Sequence, residues 1–203
     1  MAEMVEDMLE KTISSFKQNT YALSHSIIQK DNDVDKLYGS IKLYLTKLTQ
    51  ESLDPKEADR YLQIMTFATN LEHIGDIIDK SLMHIAQKKV KSQERFSDEG
   101  WKEIKDFHAQ VVENMKLAQT IFLSEDPTLA QQLVDNKKTI RQAEQETSAQ
   151  HFDRLREGLP ETIATSALHL DIIRDYRRIN SYITTVAYAI LENARKHEST
   201  RKN

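Results

Sequence analysis

Asn70-Leu71-Glu72-His73-Ile74-Gly75-Asp76 is echoed 99 residues later by His169-Leu170-Asp171-Ile172-Ile173-Arg174-Asp175. In each stretch a carboxylate follows leucine, a second stands four positions on, and long apolar helical pattern lies on both sides. A spacing of four places both carboxylates of a pair on one helix face. Like charges so placed repel by roughly a few tenths of a kcal/mol. A chain that makes this arrangement twice is either holding a cation or compensating the charge with arginine.

Outward from these motifs, the few helix-breaking residues mark the connections. The chain has 203 residues but only four glycines and three prolines, which favours long helices with short links. No segment alternates apolar and polar residues in the manner of a strand. Asp54-Pro55 and Asp126-Pro127 each read as an N-cap followed by proline at the first helical position. Gly158-Leu159-Pro160 reads as a stop and a new start, and Ser97-Asp98-Glu99-Gly100 as another start. These marks predict helices near 55–92, 98–124, 127–157 and 161–196.

The first 50 residues need one more break. Val5-Glu6-Asp7-Met8 resembles Val112-Glu113-Asn114-Met115 at an offset of 107, which sets Asn19-Thr20 against Asp126-Pro127. The break therefore falls at Asn19, with helices near 2–18 and 20–50. Asp31-Asn32-Asp33 looks loop-like but has no counterpart in the second half. The expectation is an all-α chain of two tandem three-helix bundles, over residues 1–94 and 95–203. The first helix is about two turns shorter than its counterpart, as expected of a chain cut from a longer protein. Leu62, Met65, Leu71, Ile74, Ile78, Leu82 and Ile85 supply an apolar stripe on helix three. Ile163, Ala167, Leu170, Ile173, Ile183, Ala187 and Ile190 supply its counterpart on helix six.

Composition removes several function classes. There is no cysteine, so disulfides, thiolate catalysis and cysteine metal sites are excluded. Net charge is -4 with 30% charged residues, which gives no nucleic-acid surface. The basic tail Arg195, Lys196, His197, Arg201 and Lys202 reads as a solvated helix end, with anionic lipid as the alternative. No apolar run is long enough to span a bilayer, and the acidic N-terminus is no secretory signal. The histidines form no Glu-x-x-His or His-Glu-x-x-His pattern, so they support neither di-iron oxidase nor zinc peptidase chemistry. His73 and His169 read as partly exposed, and the methionines as core filling.

Glu72, Asp76 and Asp79 fall on one stripe between Met65 and Ala68 above and Met83 and Ala86 below. Three unpaired carboxylates in apolar surroundings are costly, and a hard or borderline cation bound through oxygen would resolve the cost. A solvated helix face is the plain alternative. Gly75 costs about 1 kcal/mol in mid-helix and offers close approach by a neighbour. In the second repeat Arg174 and Arg178 follow Asp171 and Asp175 by three residues, so ion pairs could neutralise that site without a metal.

Leu71-Glu72-His73-Ile74-Gly75-Asp76 resembles the Glu-x-x-x-Asp signature of PhoU, the phosphate-uptake regulator, whose fold is two three-helix bundles. His151-Phe152-Asp153-Arg154-Leu155, Gly158-Leu159-Pro160-Glu161 and Ser166 through Ser181 resemble the cytoplasmic C-terminal PhoU-like domain of bacterial Na+/phosphate cotransporters. The resemblance implies a non-catalytic regulatory domain in control of phosphate uptake. It implies the transporter's membrane domain as partner, with other signalling proteins beside it, and a cytoplasmic location as the soluble domain of an inner-membrane protein. Exposed faces leave room for a homodimer. It also implies multinuclear iron, zinc or manganese at Glu72 and Asp76, and at Asp171 and Asp175, with Asp79 on the same stripe. Asp171 in place of Glu, Arg174 between the carboxylates and Lys80 in place of a frequent Asn depart from that pattern. A free-standing PhoU-type regulator is the alternative, and a metal-dependent hydrolase is a third reading from a different class.

Overall fold

The capping residues begin the helices where the sequence places them. In a computed structural model, which describes residues 1–18, 20–49 and 52–201 with side chains through 195, Asp54 accepts hydrogen bonds from the N–H groups of Lys56 and Glu57 at 2.8 and 2.9 Å. The Glu57 carboxylate accepts the Asp54 N–H in return, closing a capping box. Ser97 caps Gly100, and Asp126 caps Thr128 and Leu129. Gly158, at φ +75°, ends the preceding helix in the left-handed region that glycine adopts without strain.

These signals produce α1 (Ala2–Lys17), α2 (Ala22–Leu48), α3 (Pro55–Ile77), a π-helical stretch (Ile78–Met83), α4 (His84–Ser92), α5 (Asp98–Ser124), α6 (Pro127–Arg156) and α7 (Pro160–Arg201). α3, the π stretch and α4 form one rod, so six rods make two tandem three-helix bundles. Rods one to three pack together, rods four to six pack together, and α3 lies against α7 while α1 lies against α5. The break at Asn19 lies outside the described residues, between α1 and α2. Asp31-Asn32-Asp33 is helical, inside α2. No helix among the described residues is long and apolar enough to cross a membrane.

One apolar core runs through both bundles, with Met8, Phe16, Ile74, Phe107 and Tyr176 among its fully buried members. Polar ties cross between the bundles inside it. Thr12 Oγ1 and the Tyr176 hydroxyl are 2.6 Å apart, and a His108 ring nitrogen lies 3.0 Å from the Leu9 carbonyl. At the edge of the core, partly buried Asn70 donates to Thr185 at 2.5 Å.

The structure corrects the sequence reading in three places. The uninterrupted helix expected over 55–92 contains the π stretch, whose wider i→i+5 turn sets Leu82 and Met83 on either side of Ile78. All three are buried. Leu62 is 60% exposed, since it lies on the outer side of α3. The stripe on the last helix is also misplaced at its start. Ile163 is 55% exposed and Ala167 is exposed, while Thr162, Thr165 and His169 point inward. That end of the second bundle has a polar interior, so hydrophobicity alone selected the wrong face.

Candidate functional site

α2 and α3 cross where Gly75 has no side chain. A Cβ at Gly75 would stand 2.5 Å from Asp31 Oδ1. The close approach expected of this glycine is therefore made by an aspartate on the neighbouring helix. Asp31 is 5% exposed, and its Oδ1 has no hydrogen-bond partner. Burial, then the charges of Asp35, Asp79 and Asp76, push its carboxyl up to about 7, against a smaller opposing pull from Lys80. Burial likewise raises Asp79, with Asp76 and Asp35 adding to it and His84 and Lys80 opposing. Asp31, Asp35, Asp76 and Asp79 thus form one electrostatic cluster over two helices.

Lys80 is the cation bonded to this cluster. Its ammonium lies 2.5 Å from Asp76 Oδ1, and that bond raises the lysine above its ordinary range. The Lys80 carbonyl faces His84 Nδ1 at 2.7 Å. Glu72 stands one turn away, 2.9 Å from His73 Nδ1. Among the described residues, no three His, Asp or Glu side chains are already gathered as a metal-binding group. The donor set nevertheless fits a hard cation: all oxygens, an excess of carboxylates and one buried oxygen without a partner.

The second acidic motif is organised differently. Asp171 pairs with Arg174 at 2.7 Å. Asp175 is fully buried, held by Arg178 at 3.0 Å, approached by Arg174 at 3.6 Å, and bonded by the Ser81 hydroxyl from the π stretch. Arginine fills the role a cation would take, so these residues do not fit a metal. At the 107-residue offset, Asp31 and Asp35 fall on Lys138 and Gln142 of α6, so no carboxylates stand at those positions opposite Asp171 and Asp175.

A separate polar cluster fills the far end of the second bundle. Arg154 forks onto Glu103 with two bonds of 2.7 Å, and both side chains are nearly buried. His169 Nε2 lies 3.0 Å from Glu103 Oε2, close in distance but without an aligned bond. His151 stacks on His169 with ring centres 4.7 Å apart and contacts Ser166 Oγ at 2.8 Å. Burial alone would raise the Glu103 carboxyl; the close approach of the His169 ring and the two bonds from Arg154 outweigh it and hold the group low. Burial, then the charges of His169 and Arg154, lower His151. His169, expected to be partly exposed, is 2% exposed because this cluster surrounds it.

Sequence reasoning missed Asp31 and Asp35. Their signal was present: Asp31 and Asp35 repeat the spacing of four that identified Glu72 and Asp76.

Comparison with known proteins places this geometry. The PhoU domain family matches residues 1–83 and 104–190. A Salmonella typhimurium protein described as "Putative inorganic phosphate export protein YjbB" is 37% identical over 167 residues. That alignment covers 82% of this chain but 31% of the relative, so the chain spans about a third of the length of such relatives. The Thermotoga maritima protein described as "Phosphate-specific transport system accessory protein PhoU homolog 1" is 24% identical over 193 residues, covering 94% of this chain and 81% of that protein. The crystal structure of PhoU from Pseudomonas aeruginosa superposes with a TM-score of 0.86 at 17% identity, over 96% of this chain and 92% of that one. This last likeness establishes a shared fold.

Proposed function

The chain belongs to the PhoU domain family, and from that premise we propose that it is a non-catalytic PhoU-type regulator of phosphate transport. It acts by contact with a transporter and with signalling proteins rather than by turnover. The observation that carries this reading is that both bundles of the fold are present, and the alignment spans 81% of a protein described as a phosphate-transport accessory protein. The acidic site supports it too: its carboxylates lie on two helices, and among the described residues no nucleophile–base pair stands beside them.

Within this reading, the first acidic cluster is the regulatory metal site. Asp31, Asp35, Asp76 and Asp79 are its ligand candidates, with Glu72 one turn away. Iron, manganese or zinc bound there would add to the positive charge that Lys80 and His84 now provide. Ligation would draw Asp76 from Lys80 and give the orphaned Asp31 oxygen a partner. Asp171 and Asp175 stay with their arginines.

A second reading is favoured by one observation, the 31% coverage of the phosphate-export relatives. On it, the chain is the PhoU-like part of a larger sodium-dependent phosphate transporter and regulates its own membrane domain. Membrane-spanning segments encoded in frame with the chain would support that reading, and their absence would sink it.

Elemental analysis and phosphatase assay of protein never exposed to chelator test the proposal together. Stoichiometric iron, manganese or zinc, lost in Asp31→Asn/Asp76→Asn, with no ester hydrolysis, is the expected result. Metal-dependent hydrolysis abolished by the same substitutions would establish the enzyme reading instead.

A further inference from the structure

A second built site lies where α4 ends, the linker to α5 begins and the end of α1 closes against both. It is an open cleft of about 520 Å³. Lys89 lines it, and that residue is 7% exposed. Among the described residues, the Lys89 ammonium forms neither a hydrogen bond nor an ion pair. Its one contact of note is the Phe96 ring, 5.9 Å from Nζ to centroid. Lys89 is buried along most of its length while its ammonium meets the cleft without a counter-charge, and a single cation–π contact at this range contributes roughly 0.5–1 kcal/mol.

The surroundings deepen the imbalance. Arg95 and Lys17 line the same cleft and make no ion pair among the described residues. Burial, then the nearby charge of Arg95, push the Lys89 amine below its ordinary range. Glu94 and Asp98 also line the cleft, but neither pairs with these cations; Glu94 accepts a bond from Ser92, and Asp98 sits in the first turn of α5. One wall is aromatic: Phe96 and Trp101 stack with ring centres 6.2 Å apart and planes 10° from parallel.

We propose that this cleft binds a small phosphate-bearing molecule, with Lys89 as its buried anchor and Arg95 and Lys17 closing over the phosphate. A phosphate monoester carries about −1.5 to −2 charge and three strong acceptor oxygens, one for each of Lys17, Lys89 and Arg95, which Glu94 and Asp98 leave without ion pairs. The cleft volume falls in the range of small-molecule sites, and the Phe96–Trp101 wall suits a flat organic moiety attached to the phosphate. The site is separate from the acidic cluster on α2 and α3 and holds the opposite charge.

Trp101 is the only tryptophan in the chain, so its fluorescence reports on this cleft directly. AMP and inorganic phosphate are titrated separately, with calorimetry alongside, into the wild type and Lys89→Met. The methionine keeps the apolar stem and removes the charge, and circular dichroism melting confirms that it folds. Saturable AMP binding with a change in Trp101 emission, weakened at least about tenfold in Lys89→Met, is the expected result. Inorganic phosphate binding as tightly as AMP, with the same Lys89 dependence, upholds the site and makes free phosphate its ligand. Neither ligand binding at millimolar concentration, or equal binding by Lys89→Met, overturns the proposal.

Discussion

Replacing Asp31 with Asn is expected to stabilise the metal-free chain at neutral and alkaline pH and to leave it unchanged near pH 4. Asp31 is buried beside three other carboxylates, and its carboxyl is raised from 3.8 to about 7. Between those two values the folded chain holds a proton that the unfolded chain has released. Stability attributable to this group is therefore unaffected below about pH 4, falls as pH rises through the window, and levels off above about pH 7. A shift of about three units corresponds to at most about 4 kcal/mol. Water entry and reorientation of the exposed Asp35 reduce the expected effect to about 2 kcal/mol. For a chain of this length that is a rise in Tm of about 4–8 °C for Asp31→Asn. The assay is urea unfolding of chelator-treated protein at pH 4, 5, 6, 7 and 8. The slope of stability against pH should be shallower in the variant than in the wild type, the curves meeting at the acid end. Parallel curves across the window would refute the reasoning, because the penalty would then not arise from ionisation of Asp31.

Three further outcomes follow from the same geometry. Gly75→Ala should cost about 1–3 kcal/mol in urea unfolding, since the new methyl would meet Asp31 Oδ1, whereas in an Asp31→Ala background it should gain up to about 1 kcal/mol from helix propensity. Glu103→Gln should cost about 3 kcal/mol at pH 7 by leaving Arg154 buried without its counter-ion. Because the folded Glu103 carboxyl is held low, its contribution is present above the unfolded value of 4.5 and disappears as pH falls through the folded value, so the two proteins should converge in acid melts. Manganese at a hundred times its dissociation constant should stabilise the wild type by about 2.7 kcal/mol in thermal melts and leave Asp31→Asn/Asp76→Asn unmoved; equal stabilisation of both would place the ion elsewhere.

The helical frame was legible because its signals are local. Asp54, Ser97, Asp126 and Gly158 each act on their own helix end, and no tertiary contact overrides them. The arginine compensation at Asp171 and Asp175 was equally readable from a spacing of three. The π stretch was not, since Ile78–Met83 contains no glycine, proline or other local break in the helical pattern. The inward-facing Thr162, Thr165 and His169 were hidden because polar residues satisfied by one another carry the hydropathy of a surface. Asp31 was visible as half of a carboxylate pair, but its importance comes from Gly75, 44 residues away in sequence and directly opposite in space.

The central claim is regulation of phosphate transport through the acidic cluster of the first bundle. Its most direct test is the rate of radiolabelled phosphate transport, per transporter molecule, in cells carrying the wild-type chain, the chain deleted, or Asp31→Asn/Asp76→Asn folded and at equal abundance. The account predicts that deletion changes the rate severalfold and that the double variant behaves like the deletion. A rate indifferent to deletion would contradict it.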